Sequence, residues 1–527
     1  MKTLARTATA LFFALAAPAM AATPPDTLVI AKNIDDIVSL DPAQAFEFSG
    51  GEILNNVYEN LVQYEAEDMT RLTGGVAESW TVAPDGKTFV FQLRDGLRFQ
   101  SGNPVTPDDV VFSLTRVIKL DKAPAFILAQ LGWTPENVDE MVRATGEREV
   151  TLTIPENYAP SFVLNVLAAR PGAIVDRKTV LEHEQDGDLG NAWLTDNSAG
   201  SGPFSLQSWR PSEMVVLQAN PNYRRGAPPM DRVIIRHVAE SATQRLLLEA
   251  GDVDMARDLT PDQIAAIEGN EDIRVETFPQ AAVHFISLNQ KHEKLQNPAL
   301  WKAMRYLVDY EGMADTILRG QMRIHQAFWP AGFPGAVTDT PYSYDPDKAK
   351  QILEEAGLTD RLSVTMDVIS SSPFTDMAQS IQATFAEAGI DVELLPGTGS
   401  QVITKYRARN HEMMLIYWSP DFMDPHANAK AFAYNVDNSD DHPQSTGTWR
   451  NSWLVPELSA QTQAALTEED ADKRLAMYEA IQEEVMEASP FIIMFQAISQ
   501  VAMRQGVEGY AHGSAPDFVY FDRVTKQ

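Results

Sequence analysis

The reading of this fold turns on Tyr417-Trp418-Ser419-Pro420-Asp421-Phe422-Met423-Asp424-Pro425. Just before it, Met413-Met414-Leu415-Ile416-Tyr417 is a short apolar run, the pattern of a buried strand. The run breaks at Pro420 into a loop with two aromatics and two acids. Ligands of α/β proteins sit beyond the carboxyl ends of buried strands, so this loop is a candidate site. Trp418 and Phe422 would wall an apolar pocket, and Asp421 would hold one fixed negative charge. Together they suit the amine end of a small molecule. The same residues also read as a turn with an N-capping aspartate and two core aromatics.

Outward from this loop the pattern is regular. Residues 362–369 and 391–395 read as strands, 374–388 and 401–408 as helices. Strand–helix–strand–helix–strand at this spacing implies βαβ units and a parallel sheet. Downstream, 470–488 is a long amphipathic helix and 491–495 a last buried strand. Upstream, 283–288 is a strand, and 345–356 is a helix with Pro346 at its first position and Gly357 at its end. The amino-terminal third has a different texture. Strand 27–31 leads to Phe46-Glu47-Phe48-Ser49-Gly50-Gly51, ahead of a helix over 52–64. Apolar/polar alternation around Pro84-Asp85-Gly86-Lys87 predicts a β-hairpin. Thr106-Pro107-Asp108-Asp109 caps a helix, and 149–154 is a strand, so a small α+β domain lies here. Ser198-Ala199-Gly200-Ser201-Gly202-Pro203-Phe204 marks a tight path where one domain returns to another.

At 527 residues the chain is too long for one core, and two or three domains are expected. Its 44% hydrophobic and 22% charged residues are those of an ordinary soluble protein. A net charge of −31 repels nucleic acid and anionic membranes, and no basic cluster offsets it. The first residues read as a secretory leader. Lys2 and Arg6 are followed by an apolar 7–17, a break at Pro18 and the small-x-small signal Ala19-Met20-Ala21. Cleavage is expected near Ala21 or Ala22, releasing a free periplasmic protein. Cysteine is absent, so neither disulfides nor a lipidated cysteine are expected.

Motifs for chemistry are missing. Gly86-Lys87-Thr88 is not a phosphate loop, because its first glycine would fall on Thr81 and the context is a hairpin. The glycines around Ser201 do not form a nucleophile elbow. His411-Glu412 is followed by Met413-Met414-Leu415, which is no zinc-protease motif, and the nine histidines lack ligand spacing. No catalytic residue, metal ligand or cofactor is therefore expected, and a secreted hydrolase is a remote alternative.

Several stretches in order resemble the family 5 extracellular solute-binding proteins, the large periplasmic receptors of ABC importers for peptides, opines and nickel. These are Ala77-Glu78-Ser79-Trp80 through Leu97-Arg98-Phe99, Asp108 to Ser113, Gly200-Ser201-Gly202-Pro203-Phe204, Gly251-Asp252-Val253-Asp254, and Tyr344 to Leu358. The resemblance covers essentially the whole mature chain. It implies an α/β, two-lobed periplasmic-binding-protein fold of type II with an extra α+β domain inserted in lobe I. Lobe I would comprise 23–60, 200–280 and 496–527, the insert 61–199 and lobe II 281–495. It also implies a monomeric receptor that closes over an amine-bearing solute, a peptide or peptide-like molecule, and delivers it to an inner-membrane permease. An opine, a sugar-like conjugate, an oligosaccharide, or nickel or haem are the other ligands the family suggests, with His426 near the loop as the feature pointing to metal.

Peptide receptors of the family hold the ligand amine on an aspartate in a W-x-x-D-x-x-D/E-P loop. The resemblance assigns that role to Asp421, with Trp418, Phe422 and Tyr417 around it and Asp424 as a cap. It adds Phe46, Glu47 and Phe48 from lobe I, and His284 and Phe495 near the lobe crossings. Dipeptide receptors place an arginine for the ligand carboxylate in the loop after the strand equivalent to 362–369. Here that loop is Ser370-Ser371-Ser372-Pro373-Phe374, so hydroxyls of Ser370 and Ser371 are expected in its place.

Overall fold

The computed structural model describes residues 23–65, 68–441 and 446–527. The expected leader therefore lies outside the described residues. The site strand, Met413–Trp418, is parallel to Leu362–Ile369, which is parallel to Ile390–Gly397. The helices Phe374–Ala386 and Gly399–Arg407 make the connections, as the βαβ reading requires. On its other side the site strand runs antiparallel to Ile273–Leu288. That strand in turn pairs along its length with Phe491–Arg504.

These two long strands carry the sheet from one half of the molecule to the other. Beyond them it continues through Met255–Ala256, Thr27–Lys32, Arg232–His237, Met214–Ala219 and Phe204–Arg210. Among the described residues this makes one sheet of 11 strands with an apolar core on each half. The register slips between Pro279 and Val283, where the chain passes between halves. Sequence reading placed only 283–288 and 491–495 in these strands. The remainder carries Arg274, Glu276, Gln496, Ser499 and Gln500, because a strand leaving the core loses its apolar pattern while its ladder continues.

The expected hairpin is present. Ala77–Val82 and Thr88–Leu93 pair with Glu149–Thr153 and Val142–Gly146 in a separate four-stranded antiparallel sheet. The Asp85 carboxylate accepts from the N–H groups of Lys87 and Thr88 at 2.9 and 3.0 Å and fixes the turn. The helix Pro107–Leu120 lies against this sheet. The Asp109 carboxylate at its start accepts from the N–H and hydroxyl of Thr106 at 2.8 and 2.6 Å.

One expected helix moves. The structure has Phe48–Val57, not 52–64, so Ser49-Gly50-Gly51 forms its first turn and is not a loop. The glycines are tolerated there because Gly51 faces a crowded neighbour: a Cβ on it would lie 2.5 Å from Nη1 of Arg170 and 2.8 Å from Oδ2 of Asp517. The same helix ends against the return segment. The Gly202 N–H donates to the Val57 carbonyl at 2.9 Å, and a Cβ on Gly200 would fall 2.1 Å from that oxygen.

Candidate functional site

A cavity of about 1090 Å³ lies between the two halves. Tyr417 and Trp418 enter it from the end of the site strand, followed by Ser419, Pro420, Asp421 and Phe422. The three aromatics are each aimed by a different local contact. Tyr417 stacks on His284 with ring centres 5.6 Å apart, and its outer face is exposed. The Trp418 indole N–H donates to Asn428 Oδ1 at 3.0 Å, and Asn428 donates to the Phe328 carbonyl at 2.6 Å. Phe422 is buried and packs edge-on against Phe162 at 5.6 Å.

The two acids of the loop have opposite surroundings. Asp424 caps the helix Pro425–Ala433, accepting from the His426 N–H at 2.9 Å, and forms a bidentate pair with Arg474 at 2.7 and 2.9 Å. Asp421 lines the cavity and receives no hydrogen bond from the described residues. Burial raises its pKa to about 6, although the positive charges of Arg170, Arg450 and Lys430 act against this. A carboxylate short of donors in a partly dry cleft is ready for an incoming cation.

The facing wall comes from Phe46, Glu47 and Phe48, at and just before the start of the helix Phe48–Val57. Phe46 packs edge-on against Phe126 at 5.9 Å, and the Arg170 guanidinium lies 5.7 Å from its ring centre. Nη1 of Arg170 donates to the Glu47 carbonyl at 3.2 Å. Nε of Arg170 lies 3.3 Å from Asp517 Oδ2, an ion pair without hydrogen-bond alignment.

Four of the expected residues lie elsewhere. Ser370 and Ser371 are exposed, and only the preceding Ile369 reaches the cavity. Their backbone N–H groups bond to Gly397 and Ile369, which makes this a plain turn. His284 is buried behind Tyr417 and Phe374, with its pKa lowered to about 4 by burial. Its neighbour Phe285, with its strand partner Ile416, lines the cavity instead, as side chains alternate along a strand. Phe495 is fully buried in the core of the second half, against Tyr310 at 6.1 Å. His426, the feature that pointed to metal, bonds through Nδ1 to the Tyr478 hydroxyl at 3.0 Å, away from the cavity. No group of three or more potential metal-ligating side chains occurs among the described residues.

Sequence reading missed the cations. Arg170, Arg407, Lys430 and Arg450 all line the cavity. Lys430 projects from the helix Pro425–Ala433 and donates to Gln130 Oε1 at 3.3 Å. Arg450 ends the short helix Gly447–Arg450, with its guanidinium 5.3 Å from the Tyr406 ring centre. The buried Ser419 hydroxyl, also on the cavity wall, has no partner among the described residues.

Comparison with known proteins places this geometry in a family. Residues 71–440 match the profile of the bacterial extracellular solute-binding proteins, family 5. The chain belongs to that family. A probable D,D-dipeptide-binding periplasmic protein of Escherichia coli, DdpA, is 30% identical over 499 residues, covering 93% of this chain and 92% of its own. Among solved structures, the periplasmic binding protein DppA of Helicobacter pylori in complex with the peptide STSA superposes with a TM-score of 0.78 at 23% identity, covering 95% of this chain and 98% of that one. AgaA of A. tumefaciens, in complex with agropinic acid, superposes with a TM-score of 0.76 at 20% identity, covering 95% and 99%. The fold is thus the two-lobed periplasmic-binding-protein fold with its inserted α+β domain, and the cavity is the cleft between the lobes.

Proposed function

We propose that this protein is the periplasmic receptor of an ABC importer and that it closes its lobes over a short peptide or peptide-like solute, whose amine pairs with Asp421. The observation that carries the reading is Asp421 itself, a cleft carboxylate without a donor among the described residues, three residues from an acid held by Arg474. The relative DdpA is named for D,D-dipeptides, and the cleft is large enough for a molecule of that size. Trp418, Phe422, Tyr417, Phe46 and Phe48 supply apolar walls for side chains, and Glu47 a second acid on the opposite wall. Lobe I then comprises 23–60, 200–280 and 496–527, the insert 61–199 and lobe II 281–495, with Pro279–Val283 at the crossing. The receptor works as a monomer, since its docking partner is the inner-membrane permease.

Calorimetry tests the amine anchor. A panel of di- and tripeptides of both chiralities, opines, amino sugars, oligosaccharides and nickel salts is screened by thermal shift, and the strongest binder is titrated into the wild type and Asp421→Asn. Binding of an amine-bearing peptide, weakened in the variant, is the expected result. Preference for an oligosaccharide or a metal salt would remove the reading, and an opine as best binder would redirect it within the family.

A further inference from the structure

The cleft holds more positive charge near Asp421 than that acid can balance. Arg170 is matched by Asp517, at 3.3 Å. Lys430 and Arg450 both act on Asp421 electrostatically, and one carboxylate faces the two of them. Among the described residues the Lys430 ammonium has one long hydrogen bond, to a neutral amide. The Arg450 side chain has no hydrogen bond or ion pair with any described residue, and the Tyr406 ring lies against its guanidinium. Arg407, also on the wall, adds to the positive field around Arg450. The remaining acids of the cleft, Asp36 and Glu47, come from the amino-terminal segment on the opposite wall.

A partly buried guanidinium left without a counter-charge is costly, and its planar fork is shaped for a carboxylate. Its position is fixed by the backbone. Gly447, at the start of the same helix, lies so close under residue 431 that an added Cβ would be 3.0 Å from the Ala431 carbonyl. That contact holds the helix bearing Arg450 against the helix bearing Lys430. We infer that Arg450, assisted by Lys430, is the carboxylate-binding residue of this receptor, so that its solute carries a free carboxylate as well as an amine. The inference rests on the proposed function. It replaces the expectation that Ser370 and Ser371 receive that end of the ligand, and it places the clamp on the segment after the site loop, not on the loop after Leu362–Ile369.

The test uses alanyl-alanine in its L,L and D,D forms, the matching C-terminal amides and the N-acetylated peptides, titrated into the full-length mature protein. Wild type is expected to prefer the free acid over the amide by about 30-fold or more, the size seen when one side of a desolvated charge pair is removed. Arg450→Gln should lose affinity for the acid by a similar factor while binding the amide as wild type does, and Arg450→Lys should recover part of the loss. Melting of the unliganded variants checks their folding; should Arg450→Gln not fold, Arg450→Lys and the wild-type acid-to-amide ratio decide. An amide bound as tightly as the acid, or an acid-to-amide ratio unchanged in Arg450→Gln, overturns the inference and leaves the amine anchor standing. Equal binding of the N-acetylated and free peptides overturns the amine anchor alone. If wild type binds none of these peptides, the peptide reading fails and the inference fails with it.

Discussion

The two halves of the site loop make an instructive pair. Residues 417–421 face the cleft, and the side chains of Ser419 and Asp421 lack hydrogen-bond partners among the described residues. Phe422 closes the cleft wall, and residues 423–426 face inward with their groups satisfied. The Met423 N–H lies 3.1 Å from the Tyr64 hydroxyl, Asp424 holds Arg474, and His426 meets Tyr478. Residue type alone does not separate the two acids, since each half carries one aspartate. Hydrogen-bond bookkeeping separates them: the saturated half anchors the loop, and the half with open valences is where a solute can add something.

That contrast gives predictions of graded size. The largest concerns the anchor. Asp424→Ala strands Arg474 without its carboxylate in a buried position and should lower unfolding stability by about 3–5 kcal/mol in denaturant titrations. A loss under about 1 kcal/mol would mean the pair is not what holds the loop. Next comes Asp421→Asn, expected to cost about 2–5 kcal/mol in binding of an amine ligand while leaving the unliganded melting temperature nearly unchanged. Equal damage to folding would erase the distinction between the two acids.

A subtler effect is in pH. The Asp421 pKa is raised to about 6 in the folded protein, so the acid is ionised above that value and neutral below it. Affinity for an amine should therefore be full well above pH 6 and fall by up to about tenfold per unit as pH drops through and below it. Calorimetry from mildly acidic to neutral pH reads this directly, and in Asp421→Asn the slope should vanish. The smallest effect sharpens the comparison from outside the cleft. Ser370→Ala with Ser371→Ala should change neither affinity nor stability by more than about 0.5 kcal/mol, as for exposed turn residues.

Much of this was legible in the sequence, for local reasons. Apolar runs and capping residues announce strands and helices, so the site strand, the βαβ units and the Asp85 turn stand where expected. The loop itself was legible because one short segment holds all its features. Arg170, Lys430 and Arg450 were not, since they are single cations on three separate segments and only the tertiary fold brings them together. His284 and Phe495 were misjudged for a geometric reason. Position near a crossing was readable, but the face each side chain takes depends on a register that shifts between His284 and Phe285. The displaced amino-terminal helix has another cause. Glycines usually mark a loop, whereas Gly51 is there to leave room for Arg170.

The bond between Asp424 and Arg474 also bears on how tightly a solute can be held. Ordering a mobile loop on binding would consume part of the interaction energy, as each immobilised segment does. Here the helix cap, the guanidinium and the Tyr64 hydroxyl have fixed the backbone three residues from Asp421 before any guest arrives. The receptor thus meets its cargo with a preset electrostatic contact, and the entropic toll of assembling it was charged to folding.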